Sequence, residues 1–141
     1  HGKDFQLSQI MYRLLSQTTF KDRVHLLDGM YSPAITKGIV SQFDMLISGR
    51  IHGAVSALSQ SIPTLVIDYG HEPKAHKLRG FAQVAGVEDC IANPGDQKDL
   101  ISKAEYVWEQ RSFISKKLQE RNTHYIKPLV EQMFEELKKY I

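Results

Sequence analysis

The feature that most limits how this chain can fold is how closely its short apolar runs are followed by helical stripes. Met45-Leu46-Ile47 has the length and character of a buried strand. Only three residues separate it from Ile51, Ala54, Val55 and Leu58, which repeat at i, i+3, i+4 and i+7 and so share one helix face. Ser61-Ile62-Pro63 then leads into Thr64 to Ile67, a β-branched strand. A strand that turns straight into a helix and comes back as a strand requires a crossover connection. The pattern therefore predicts an α/β fold, a Rossmann-like parallel sheet with helices on both faces.

The alternation extends in both directions. Leu7, Ile10, Met11, Leu14 and Leu15 predict a helix over 5–16, and a short strand follows over Val24 to Leu27. Ser32-Pro33 reads as an N-cap and first helical residue. Ile35, Ile39 and Val40 carry that helix to about Gln42, before a strand over Asp44 to Ser48. Leu78, Phe81, Ala82 and Ala85 mark a further helix closed by Gly86, and Asp89 to Ala92 reads as the last strand, with Cys90 inside it. Asp96 caps a helix holding Leu100, Ile101, Ala104, Val107 and Trp108. A final stripe runs through Ile126, Leu129, Val130, Met133, Phe134 and Leu137, where Pro128 kinks or restarts the helix. The aromatic residues fall on these stripes and read as core.

A length of 141 residues suits a single α/β domain over 1–141, with 97–141 as a helical C-terminal extension. Four strands are few for this architecture, and no strand precedes the first helix. An opening strand and a partner domain are expected upstream of residue 1. Hydrophobic residues at 42% and charged residues at 24% are those of an ordinary globule, and a net charge of +2 gives no field that demands nucleic acid. Lys116-Lys117 and Lys138-Lys139 read as solvated helix faces. Cys90 is the single cysteine, so it reads as a buried small hydrophobe in a reducing compartment. No apolar run reaches the roughly 20 residues that cross a bilayer, and the polar start is no signal peptide. A cytoplasmic location is expected.

Ligands of open parallel sheets bind beyond the carboxyl ends of the strands. Two strand-to-helix junctions stand there. In the first, Ser48-Gly49-Arg50-Ile51-His52-Gly53, the helix start offers unpaired N–H groups and a partial positive charge, suited to phosphate or carboxylate. Gly49 lets backbone approach a ligand, and Arg50 adds a planar two-pronged donor. His52 lies one residue off the apolar stripe, toward Ser56 and Ser59, and is expected to face polar space. A structural histidine and a surface ion pair are the plainer readings of His52 and Arg50. The second junction holds Tyr69, Lys74 and Lys77, which would line an anionic pocket or simply an exposed loop. His71, Glu72 and His76 miss the H-E-x-x-H spacing by one place, and Pro73 interrupts any helix there, so no metal site is expected. Dinucleotide-binding, Walker and nucleophile-elbow glycine patterns are absent.

The run Phe43-Asp44-Met45-Leu46-Ile47-Ser48-Gly49-Arg50-Ile51-His52-Gly53-Ala54, followed by Ser61-Ile62-Pro63-Thr64-Leu65-Val66-Ile67-Asp68-Tyr69, resembles the polysaccharide pyruvyl transferase family. Its signature is a strand ending in Ser-x-Arg-x-His, an Ala-rich helix, a small-x-Pro turn and a strand ending in Tyr. A lysine and a Gly-Phe pair follow, and here Lys77 stands three residues before Gly80-Phe81. The stretch between Tyr69 and Lys77 is longer than the family's, so either Lys74 or Lys77 takes the place of its lysine. The likeness covers about residues 43 to 91.

The resemblance implies the C-terminal, donor-binding half of a two-domain enzyme of glycosyltransferase-B type, inactive without its N-terminal domain. Such enzymes transfer pyruvyl from phosphoenolpyruvate to a sugar of a cell-surface polysaccharide, forming a cyclic ketal. The donor is a substrate, and neither cofactor nor metal is implied. The acceptor would be a saccharide or lipid-linked saccharide, met in the cytoplasm or at the inner face of the membrane. In this scheme Arg50 and the helix start hold the donor's phosphate or carboxylate, together with Ser48, Gly49, Ile51, Tyr69 and Lys74 or Lys77, and His52 is the general acid. The final helices pack on the domain, and the last crosses back to the other half. Two other readings stand beside it. One is a nucleotide-sugar glycosyltransferase, with Glu88 and Asp89 the nearest acids for a ribose. The other is a non-catalytic domain that binds a small anion.

Overall fold

The computed structural model describes residues 2–69 and 77–140, with side chains from Asp4 onward. The chain forms two compact units, His1–Ser32 and Pro33–Ile141. Unit 1 holds helix α1 (Gly2–Leu15), then a 3₁₀ turn over Lys21–Arg23. Within that unit the expected strand over Val24 to Leu27 does not form. Val24 has extended dihedrals (φ −111°, ψ 125°), and Val24 and Leu26 are half-buried while His25 and Leu27 are exposed. The period-2 pattern is therefore present, but extended backbone becomes a strand only through a ladder with a neighbour, and these residues have none among the described residues.

Unit 2 is the α/β body. Helix α2 (Pro33–Val40) starts at the proline, as the fixed φ of that ring favours. Strand β1 (Leu46–Ser48), helix α3 (Ile51–Leu58), strand β2 (Thr64–Ile67), helix α4 (Lys77–Ala85) and strand β3 (Ile91–Ala92) follow. The three strands form one parallel sheet in the order β1-β2-β3, with Ile47 beside Leu65 and Val66 beside Ile91. The last predicted strand is shorter than expected. The Cys90 N–H bonds to the Val87 carbonyl at 3.0 Å, closing a 3₁₀ turn over Glu88–Cys90, so the backbone joins the ladder only at Ile91.

Successive strand residues point to opposite faces, and both faces of β2 are covered. Leu65 lies in a cluster with Ala82, Val107, Ile114 and Leu118, and Val66 lies with Ala54 and Leu78. Val107 belongs to helix α5 (Gln97–Glu109), Ile114 and Leu118 to helix α6 (Arg111–Arg121). Asp96 caps α5 as predicted, its carboxylate accepting from the N–H groups of Lys98 (2.9 Å) and Asp99 (3.2 Å). Gly86 closes α4 with φ of 72°, and the Val87 N–H returns to the Ala82 carbonyl. Trp108 is not core: it is 49% exposed and carries the Arg111 guanidinium 4.3 Å over its ring.

Pro128 acts as its chemistry requires. It has no N–H for the carbonyl of His124, four residues back. The chain takes a π turn over Asn122–Ile126 and resumes as helix α7 (Lys127–Leu137). None of the side chains of α7 is buried; Met133 and Phe134 are 58% and 62% exposed. The stripe expected to pack on the domain or cross back to another half is exposed among the described residues. Among the described residues no helix is long and apolar enough to cross a membrane.

Candidate functional site

The β1–α3 junction is shaped by Ser48 and two glycines. The Ser48 hydroxyl accepts from the Arg50 N–H at 3.1 Å and donates to the Arg50 carbonyl at 3.0 Å, which folds the turn back on itself. Any side chain on residue 53 would meet that hydroxyl, since a Cβ there would stand 2.8 Å from Ser48 Oγ. Arg50 is the extended N-cap of α3 (φ −108°, ψ 129°) and makes no side-chain cap. The N-cap residue thus leaves the first-turn N–H groups of α3 without a side-chain cap of its own, and they gather at the strand's carboxyl end. Arg50 and His52 are both exposed, while Ala54, Ala57 and Leu58 face the core. The position of His52, off the buried stripe, is the one that helical spacing predicts.

Tyr69 reaches this junction from the next strand. Its hydroxyl donates to the Gly49 carbonyl, and its ring occupies the space where a Cβ on residue 49 would lie. Glycine at 49 is thus favoured by close approach of a side chain rather than by an unusual backbone angle. The fold brings Ser48, Gly49, Arg50, Ile51, His52 and Tyr69 to one edge of the sheet. Lys77 opens α4, and its neighbour Leu78 packs with Ala54 of α3 and Val66 of β2. That small cluster sets the starts of α3 and α4 beside the same strand ends. The Lys77 side chain is exposed. Lys74, with His71, Glu72 and His76, lies outside the described residues. Among the described residues no three His, Cys, Asp or Glu side chains are placed to hold a metal ion.

Sequence reasoning passed over one pair. Asp68 follows β2, and Arg79 in the first turn of α4 donates to its Oδ2 from Nε at 3.1 Å, with Nη2 in ion-pair contact with the same oxygen at 3.1 Å. They stand eleven positions apart, with no local periodicity to join them, so only the return of α4 onto the sheet reveals the contact. Glu88 and Asp89, by contrast, precede β3 in a parallel sheet. They stand at the amino-terminal end of the strands, opposite the junction, and are out of reach of a ligand held there. Cys90 is 2% exposed, and burial, with Asp89 adding to it, pushes its thiol up to about 11. A thiol so held is inert as a nucleophile near neutral pH.

These features define an α/β domain with a parallel sheet, whose strand ends carry a tyrosine-packed turn with an arginine and a histidine at a helix start. The profile of the polysaccharide pyruvyl transferase family matches residues 2–71, about half of the chain and all of the β1–α3–β2 segment through Tyr69. The chain belongs to this family through those residues. No curated protein and no solved structure matches it.

Proposed function

We propose that this chain is the donor-binding domain of a pyruvyl transferase, one half of a glycosyltransferase-B type enzyme, and that its donor is phosphoenolpyruvate. The observation that carries the reading is the junction itself. Arg50 and His52 flank a helix start that its N-cap side chain leaves uncapped, and Tyr69 from the neighbouring strand closes over Gly49. The helix start and the Arg50 fork suit an oxyanion. Either Lys74 or Lys77 adds positive charge on the α4 side, and Ser48 holds the turn that presents Arg50.

The reaction follows from the donor's chemistry. His52, in its imidazolium form, gives a proton to the methylene carbon of phosphoenolpyruvate, which makes C2 electrophilic. A sugar hydroxyl adds to C2 and its proton returns to His52. The C2–O bond to phosphate then breaks, and a second hydroxyl of the same sugar closes the cyclic ketal, its proton leaving with the phosphate. No oxidant, reductant or metal enters this balance. The acceptor is a saccharide or lipid-linked saccharide of a cell-surface polysaccharide, met at the cytoplasmic face of the membrane.

The test is a calorimetric titration of the chain with phosphoenolpyruvate, beside an Arg50→Ala variant and a nucleotide-sugar control. Saturable binding of phosphoenolpyruvate, weakened about 10- to 100-fold by Arg50→Ala, is expected. Binding of the nucleotide sugar alone would replace the donor, and the absence of both Glu88 and Asp89 from the junction already speaks against that outcome. In the transferase itself, His52→Gln should lower turnover by about 10²- to 10⁴-fold, the range for loss of a general acid. Near-normal turnover would remove His52 from that role.

A further inference from the structure

Phosphoenolpyruvate carries two anionic groups, a phosphate and a carboxylate. Arg50 is one guanidinium at the junction. A second, Arg79, stands in the first turn of α4. Asp68 shares a face of β2 with Val66, two residues earlier, and Val66 packs with Ala54 of α3 and Leu78 of α4. The Asp68 carboxylate therefore lies at the carboxyl end of β2 on the face that carries both helix starts, one residue before the tyrosine that touches Gly49. Its side chain is only 10% exposed, whereas that of Arg79 is 53% exposed.

The geometry of the pair is one-sided. Arg79 uses the Nε–Nη2 edge of its guanidinium, and both nitrogens meet the same oxygen, Oδ2. A guanidinium has five N–H donors in a fixed fork. The Nη1 end is left without a partner among the described residues. A largely covered carboxylate that fixes one edge of an arginine while the other edge faces solvent lowers the entropy lost when a ligand takes that second edge. A clasp serving only to tie α4 to β2 has no need of that free fork.

We propose that Arg79 is a second anion-holding residue of this site, and that Asp68 is the residue that positions it. With the donor assigned above, on which this inference rests, Arg50 and Arg79 divide the phosphate and the carboxylate between them. Spanning two forks would favour a donor with two anionic ends over either a simple phosphate or a simple carboxylate.

The experiment measures dissociation constants of the whole chain for phosphoenolpyruvate, inorganic phosphate and pyruvate by calorimetry. Wild type is compared with Arg79→Gln, Arg79→Lys, Asp68→Asn and the double variant Asp68→Asn/Arg79→Gln, and melting temperature is recorded for each. Arg79→Gln should weaken phosphoenolpyruvate binding at least tenfold, and Arg79→Lys should recover part of the loss. Asp68→Asn should weaken binding less than Arg79→Gln and add nothing to it in the double variant, because its action passes through Arg79. A clasp that is only structural would lower the melting temperature in all four variants and leave the dissociation constants unchanged; that result would overturn the assignment of Arg79. The two readings fail differently. If wild type binds phosphate or pyruvate but not phosphoenolpyruvate, and Arg79→Gln abolishes that binding, the donor is wrong and the anion site stands. If wild type binds phosphoenolpyruvate through Arg50 with no effect of Arg79→Gln, the donor stands and this inference falls. If wild type binds none of the three, both fall.

Discussion

At the scale of single residues, Gly49 and Tyr69 act as one unit. A methyl group on residue 49 collides with the Tyr69 ring, and an exposed ring moves more easily than backbone. Gly49→Ala should therefore cost at most ~1 kcal/mol of stability while breaking the Tyr69–Gly49 contact. Combined with Tyr69→Ala it should add almost nothing, since the obstacle is gone. Additive losses in a chemical-denaturation cycle would show that the two residues do not pack as described. Cys90 sets a different, pH-dependent expectation. Its folded thiol titrates at about 11, against 9.0 for an unperturbed one. The unfolded chain thus loses this proton first, and its contribution to stability, complete below about pH 9, disappears as pH rises toward 11. The effect is at most ~3 kcal/mol. Cys90→Ala will be less stable at pH 8 through the cavity it leaves, but its stability should fall less steeply between pH 9 and 11 than that of wild type. Parallel slopes would contradict the buried-thiol account.

At the scale of elements, the end of α3 and the π turn support each other. Ser61 sits in the left-handed region with φ of 63°, a conformation that disfavours residues with a Cβ. Asn122, in the π turn, donates its side-chain amide to the Leu58 carbonyl at 2.9 Å and to Ser61 Oγ at 3.2 Å. A π turn thus stands where α6 meets α7 because Pro128 disrupts the ordinary ladder, and it carries the side chain that satisfies the helix end next door. Asn122→Ala should cost ~1–2 kcal/mol, the loss of a part-buried hydrogen bond. Ser61→Gly should be within ~0.5 kcal/mol of neutral alone, because relief of the backbone offsets the lost acceptor. In the Asn122→Ala background it should be stabilising by ~0.5–1 kcal/mol. Denaturant midpoints of the four proteins test this, and a Ser61→Gly effect that is the same in both backgrounds would separate the two elements.

At the scale of the whole molecule, stability rests on a short sheet with helices on both faces. Leu65, Val107 and Leu118 are fully buried, so Leu65→Ala should cost ~2–5 kcal/mol. By contrast α7 buries nothing. A chain cut after Ile126 keeps Asn122 and every buried residue, and its thermal midpoint should stay within a few degrees of the uncut chain. A fall of more than about ten degrees would mean that α7 belongs to the core, which its exposure denies.

Several features were settled by the sequence alone. The parallel α/β order followed from a helical period placed between two strand-like runs, because a helix between strands makes the connection a crossover. The Asp96 cap, the Gly86 stop and the polar outlook of His52 followed from local backbone chemistry. The family followed from residues contiguous in the chain, Ser48 to His52 and Ser61 to Tyr69. The structure decided what depends on partners distant in sequence. Val24 to Leu27 has the pattern of a strand but no neighbour to pair with among the described residues. Trp108 and the stripe of α7 have apolar spacing but stay exposed among the described residues. The Asp68–Arg79 pair and the Tyr69–Gly49 contact join residues that no periodicity relates. A period tells which residues share a face, whereas a ladder, a covered face and an ion pair each need a second element, and only the tertiary fold supplies it.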